Sequence, residues 1–231
     1  MPREEFAVAG GGAAPSLVLL PGWATDSRVF DGLFPGVASA RVSGSLRPDG
    51  FHDRLAAFLD GAARNPVTVI GWSLGGFLAA EFAARHPGRV RRLVLVGVRK
   101  RYPAADVEAA RERLLSDREG CLSDFYAQCF FPSRMKEYRR FRSGLQAEYL
   151  REMDDEALLS GLSFLSGAVL SAEDLPACPV TIVHGERDVV APASEAEELA
   201  RESGRAAFRL LAGAPHAAFL DERFRAAASD D

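Results

Sequence analysis

Three residues able to carry out nucleophilic chemistry together lie far apart in the sequence: Ser73, Asp188 and His216. Ser73 stands in Gly71-Trp72-Ser73-Leu74-Gly75-Gly76, after the β-rich run Val67-Thr68-Val69-Ile70 and before a segment rich in Ala, Phe and Leu. A strand, a sharp glycine-flanked turn and a helix, in that order, make a nucleophile elbow. The turn is strained, and side chains beside the serine would clash. It lifts the hydroxyl above the sheet and sets it at a helix N-terminus, where backbone amides favour developing negative charge. A serine hydroxyl is a weak nucleophile at neutral pH and needs a base. His216, in Ala212-Gly213-Ala214-Pro215-His216-Ala217, follows a strand-like run at 208–211, and that position singles it out. His52 and His86 read as solvated or satisfied residues, and His86-Pro87-Gly88 is simply where a helix stops.

The base in turn needs an orienting carboxylate. His184-Gly185-Glu186-Arg187-Asp188 follows the run Val180-Thr181-Ile182-Val183, and Asp188 has the reach expected after a two-residue turn. Glu186 is its rival, and Arg187 reads as structural. An oxyanion hole requires two amide donors. One should be Leu74, directly after the nucleophile. The other should come from the loop Pro21-Gly22-Trp23-Ala24-Thr25, which makes Trp23 the candidate. Its indole would line the substrate pocket; a core role for Trp23 and Trp72 is compatible with this.

The elements that must hold these residues are legible as short apolar runs. Ser16-Leu17-Val18-Leu19-Leu20 stops at Pro21-Gly22, and Leu93-Val94-Leu95-Val96 stops at Gly97. Uninterrupted runs of this kind read as strands buried on both faces. They alternate with helical segments, 74–85 ending at His86-Pro87-Gly88 and 193–202 closed by Ser203-Gly204. The pattern predicts an α/β fold with a mostly parallel sheet flanked by helices, its active site at the carboxyl ends of the strands. Residues 99–174 break the alternation. They are helical in composition, amphipathic around 107–115 and 135–150, and read as a lid inserted within a single domain spanning 1–231.

Composition sets outer limits. A chain of 231 residues suits one α/β domain. The net charge of −4 gives no reason to expect nucleic-acid binding. No leader-like apolar run opens the sequence and no apolar stretch of roughly 20 residues would span a bilayer, so a cytoplasmic protein is expected. Cys121, Cys129 and Cys178 show no metal or redox spacing, and the four histidines form no HExxH motif. Neither metal nor cofactor is called for.

The quoted motifs resemble those of the α/β hydrolases, together with Ala83-Ala84-Arg85-His86-Pro87-Gly88-Arg89-Val90 and Pro215-His216-Ala217-Ala218-Phe219. The order Ser73, Asp188, His216 is the order that fold uses. More narrowly, Leu17-Val18-Leu19-Leu20-Pro21-Gly22-Trp23 with Gly-Trp-Ser-Leu-Gly-Gly resembles the BioH-type carboxylesterases. Those enzymes cleave the methyl ester of pimeloyl-acyl carrier protein in biotin synthesis. The resemblance implies serine esterase chemistry through an acyl-enzyme. A generic short-acyl esterase, a thioesterase, a carbon–carbon bond hydrolase or a MenH-like lyase would use the same site. A non-catalytic ligand-binding protein on this fold is the rival of another class, but it would need no complete Ser73–Asp188–His216 set.

Two segments depart from the family pattern. Arg41-Val42-Ser43-Gly44-Ser45-Leu46-Arg47-Pro48 replaces a strand normally ending Asp-x-Pro-Gly, so an altered loop is expected there. Pro21 stands where many relatives carry histidine before the glycine. A carrier-borne substrate also has physical support. Within the lid, Arg134, Lys136, Arg139, Arg140 and Arg142 cluster with Glu137 as the only acid among them. Arg151 and Arg99-Lys100-Arg101 would extend the patch. Acyl carrier proteins are acidic, so such a surface would steer and dock one; the alternative is an ordinary solvated face. Phe125, Phe130 and Phe131 are candidates for lining an acyl channel. A monomer is expected.

Overall fold

The computed structural model describes residues 6–10, 13–62 and 66–228. Among these residues seven strands form one sheet: β1 (Phe6–Ala9), β2 (Leu17–Leu20), β3 (Ser39–Val42), β4 (Val67–Trp72), β5 (Val90–Val96), β6 (Val180–Gly185) and β7 (Ala207–Leu211). Their spatial order is β1-β3-β2-β4-β5-β6-β7, with β1 antiparallel to β3 and every other neighbour parallel. The central strands β2, β4 and β6 are buried almost throughout, which is why their sequences run apolar without alternation. At the edge, β7 is largely exposed and its sequence correspondingly mixed.

The chain leaves β2 for β3 on one side, then crosses back to β4 on the other. Connections from β2 and β4 therefore diverge, and a crevice opens between their carboxyl ends. Helix α1 (Phe51–Ala62) buries Phe51, Leu55 and Leu59, spaced four apart on one face. Each such burial contributes roughly 1.5–3 kcal/mol. Helix α2 (Leu74–Arg85) is buried nearly all round and packs on β4, β5 and β2.

Between β5 and β6 run five helices: α3 (Ala104–Ser116), α4 (Arg118–Phe130), α5 (Met135–Phe141), α6 (Ala147–Glu152) and α7 (Asp155–Gly167). A π-helical turn at Arg142–Gln146 joins α5 to α6. These helices rest on the loop after β2. Trp23 Nε1 donates to Leu158 O (2.9 Å), Tyr126 OH to Ala24 O (2.7 Å) and Tyr149 OH to Asp26 Oδ1 (2.9 Å). Helix α8 (Ala193–Ser203) ends at Gly204, in the left-handed region at φ 64°, and α9 (Phe224–Ala228) follows the last loop. No helix among the described residues is long and apolar enough to cross a membrane.

The departure at 41–48 takes a definite form. Arg41 and Val42 complete β3, and the loop beyond ties down the inserted helices: Asp154 N donates to Ser45 Oγ (2.8 Å), and Arg47 pairs with Asp154 (2.8 Å) and Glu156 (3.3 Å). Ser39-Ala40-Arg41-Val42 has no apolar run to announce a strand. Its pairing with β1 and β2 makes it one.

Candidate active site

Ser73 sits between β4 and α2 at φ 52° and ψ −119°, a region that costs a non-glycine residue on the order of 1–3 kcal/mol. The bond from Ser73 N to Val96 O of β5 (2.9 Å) helps hold it there. In the register of β2 with β4, Leu20 pairs with Gly71. Trp23 and Leu74 each lie three residues beyond that pair, so the two proposed amide donors start from neighbouring points of the sheet. A Cβ on Gly75 would sit 2.4 Å from Pro21 O and 2.5 Å from Leu20 O. The start of α2 therefore lies directly against the loop that carries Trp23.

The loops after β6 and β7 are held together in the same way. A Cβ on Gly185 would lie 2.2 Å from Pro215 O, and Arg187 N donates to Ala214 O (2.9 Å). This contact sets His216 Nδ1 2.7 Å from Asp188 Oδ2, both side chains fully buried. An ionised carboxylate only accepts, so Nδ1 carries the proton. Asp188 Oδ1 accepts from Val190 N and Ala191 N, both at 2.8 Å. Burial alone would raise this carboxyl, but the charge of His216 and hydrogen bonds from His184 and His216 outweigh it and hold it well below the usual carboxylate range. Glu186 is engaged elsewhere, accepting from Gly213 N (2.8 Å) at the surface. Trp72 Nε1 donates to His216 O (3.1 Å), and Ala217 N to Cys129 O of α4 (2.9 Å), so the histidine loop is clamped from both sides.

The other imidazole nitrogen, His216 Nε2, is buried without a hydrogen-bond partner among the described residues, its lone pair open to take a proton. Ser73 Oγ lies 3.3 Å from Tyr102 OH. Hydrogen bonds of catalytic groups often tighten only when substrate is bound. Burial pushes the Tyr102 phenol up to about 12, so it keeps its proton at neutral pH. A cavity of about 300 Å³ opens at Ser73, walled chiefly by Trp23, Tyr102, Phe125, Leu162 and Val190. Trp23 meets Phe125 edge to face at 4.9 Å.

Of the three phenylalanines expected in this channel, only Phe125 lines it. Helix periodicity brings Gln128 to the same wall and turns Phe130 to another face, where it packs on Tyr138 and Phe141. Phe131, past the end of α4, is exposed.

The basic residues also separate. Arg134 is drawn into the structure by Asp221, whose side chain is 1 % exposed, and is no free surface charge. Arg99 is paired with Glu195 (2.6 Å), and Lys100 with Glu198 and Glu202 (2.8 Å each), so neither extends the patch. Arg151 pairs with Glu152 (3.2 Å). Lys136, Arg139, Arg140 and Arg142 are exposed and form no ion pair among the described residues.

Asp221 anchors the segment after His216 to the α4–α5 junction. Hydrogen bonds from the Arg223 side chain (2.8 Å) hold its carboxyl well below the usual range against the opposing effect of burial, helped by the Arg223 amide and the Arg134 charge. A carboxyl depressed by folding adds stability above its unfolded value, about 3.9, and that stability is lost as pH falls through the folded value. Asp221→Asn is therefore expected to lower Tm at pH 7, with the gap to wild type closing below about pH 4. Thermal unfolding followed by circular dichroism across that range checks it; an unchanged gap would show that the ionised form is not what stabilises.

Two residues at the site carried no sequence assignment. Tyr102 lies in the loop after β5, where a search past every strand end reaches it, but a lone tyrosine has no motif. His184 belongs to the Asp188 motif, yet its type and spacing gave it no separate role. Among the described residues no group of three or more His, Cys, Asp or Glu side chains is placed to hold a metal ion.

The description of the alpha/beta hydrolase family matches residues 17–229. The chain belongs to that family. It is a hydrolase of the α/β-hydrolase fold. It is similar to pimeloyl-[acyl-carrier protein] methyl ester esterases, 30% identical to that of Nitrosomonas europaea (90% of this chain, 91% of the relative). To that of Chromobacterium violaceum it is 28% identical, over 90% of each chain. Among solved structures it resembles an esterase from Exiguobacterium antarcticum, with TM-score 0.80 and 19% identity over 96% of this chain and 92% of the other.

Proposed function

We propose that this hydrolase is a serine carboxylesterase that cleaves the methyl ester of a pimeloyl chain carried on acyl carrier protein. Two features carry the chemistry of this reading: the His216–Asp188 hydrogen bond, and the strained Ser73 opening on a largely apolar pocket. Similarity to the pimeloyl esterases over nine-tenths of the chain supports the substrate. His216 Nε2 takes the Ser73 proton as Oγ attacks the ester carbonyl, and the Trp23 and Leu74 amides hold the oxyanion. Collapse of the tetrahedral intermediate expels methoxide, which leaves as methanol with the proton from His216. Water, deprotonated by His216, then attacks the acyl-enzyme and releases the free carboxylate and Ser73. Trp23 and Phe125 wall the acyl chain. The inserted helices serve as the lid, and the enzyme acts as a cytoplasmic monomer without cofactor.

The unpaired cations Lys136, Arg139, Arg140 and Arg142 form the docking face for the acidic carrier. A cluster of one sign raises association rates by about 10–10³-fold, an effect weakened by salt. Replacing Arg139, Arg140 and Arg142 with Glu should lower kcat/KM for the carrier-borne ester by about tenfold or more, while hydrolysis of a free short-chain methyl ester stays within about twofold. Raising ionic strength should slow the wild type on the carrier substrate but speed the variant, whose three Glu repel the acidic carrier until salt screens them. Equal losses on both substrates, or none on either, would reject the docking face. A wild type with no preference for the carrier-borne ester would reject the substrate.

A further inference from the structure

Asp188 faces two histidines. His184, in β6, has a side chain as fully buried as those of Asp188 and His216. Its Nε2 lies 2.9 Å from Ala191 O and 3.2 Å from Asp188 Oδ2. A carbonyl oxygen can only accept, so Nε2 carries the proton, directed mainly at Ala191 O with Oδ2 as a second, longer contact. Ala191 also donates its own N–H to Asp188 Oδ1. His184, Ala191 and Asp188 thus close a ring that fixes the carboxylate plane. Oδ1 faces two backbone amides and Oδ2 faces two imidazole N–H groups.

We propose that His184 is a positioning residue for the Asp188–His216 pair, a second imidazole that orients the carboxylate and draws off part of its charge. The proposal rests on the reading of Asp188 and His216 as acid and base. The physical consequence has a definite sign. The Nε2–H dipole of His184 reduces the negative potential that Oδ2 presents to His216. Without it the carboxylate would bind the His216 imidazolium more strongly, and the base would release its proton only at higher pH. Arg99 lies over the Tyr102 ring (5.2 Å) with its charge paired to Glu195, and two neighbouring groups, Tyr102 and Cys129, are neutral at pH 7. Burial raises the Tyr102 phenol and the Cys129 thiol, and the charge of Asp188 adds to both.

The test follows kcat/KM for a free short-chain ester from pH 5 to 9 in the full-length protein. His184→Leu should move the acid limb upward by about half a unit to one unit and lower kcat by about tenfold, with KM within about twofold. His184→Gln, which can place an amide N–H near the Nε2 position, should restore the limb and most of kcat. An unmoved limb in folded His184→Leu, or a Gln variant as impaired as Leu, would overturn the proposal. A second measurement needs no substitution: in wild type with ¹⁵N-labelled histidine, the neutral form of His184 should be the Nε2–H tautomer. An Nδ1–H tautomer would overturn the proposal equally. Ser73→Ala measured alongside separates the two levels: if activity survives it, the underlying acid–base reading fails, and if activity vanishes while the limb stays put, His184 alone is misassigned.

Discussion

Ser73→Ala is expected to leave a folded protein whose kcat/KM for every ester is lower by about 10³–10⁶-fold. In the proposed reaction the hydroxyl is the atom that bonds to the acyl group, and no neighbour can replace it. Tyr102, the group within hydrogen-bonding distance, keeps its proton because burial pushes its phenol up to about 12. Removing one oxygen from a 3 % exposed side chain leaves the elbow's packing intact. The bond from residue 73 N to Val96 O is a backbone bond and survives. Mass spectrometry after treatment with a fluorophosphonate gives the direct reading: one adduct on wild type at Ser73, none on the variant. A folded wild type that forms no such adduct would end the enzyme assignment built on Ser73.

Asp188→Asn should lower kcat by roughly 10⁴-fold with little change in KM. The structure dictates which way the new amide points. Oδ1 accepts from Val190 N and Ala191 N, so the Asn carbonyl must take that place and its NH₂ must face His216 Nδ1. Nδ1 then has to accept rather than donate, the proton moves to Nε2, and the nitrogen needed as base is occupied. The same NH₂ also meets the His184 N–H, adding a donor–donor conflict. Kinetics should be read beside Tm, so that a loss of fold is not mistaken for a loss of base. A variant retaining more than about a tenth of wild-type kcat would mean that Asp188 is not the orienting acid.

The chemistry of this protein was largely written in local sequence. Strands buried on both faces must be apolar without interruption, so β2, β4, β5 and β6 announced themselves, and with them the strand ends where reactive residues sit. A nucleophile elbow is a local turn whose strain demands particular residues, which is why Gly71-Trp72-Ser73-Leu74-Gly75-Gly76 is legible as one from sequence alone. Features set by pairing partners stayed hidden: β3 is a strand because β1 and β2 flank it, and its own residues carry no signal.

What only the tertiary structure decided concerns choices between chemically similar residues. Asp188 and Glu186 are both carboxylates after the same strand, and the close approach of the loops at Gly185 brings one to His216 while the other caps Gly213. Five cations in a row look alike in sequence, yet Asp221 withdraws Arg134 and leaves Lys136, Arg139, Arg140 and Arg142 unpaired. Three phenylalanines near one another divide by helical phase into a pocket wall, a packed core and an exposed end. His184 and Tyr102 belong to the site through distance alone. Residue type and local spacing determine what chemistry is available here; contacts between residues remote in sequence determine which copies of each type perform it.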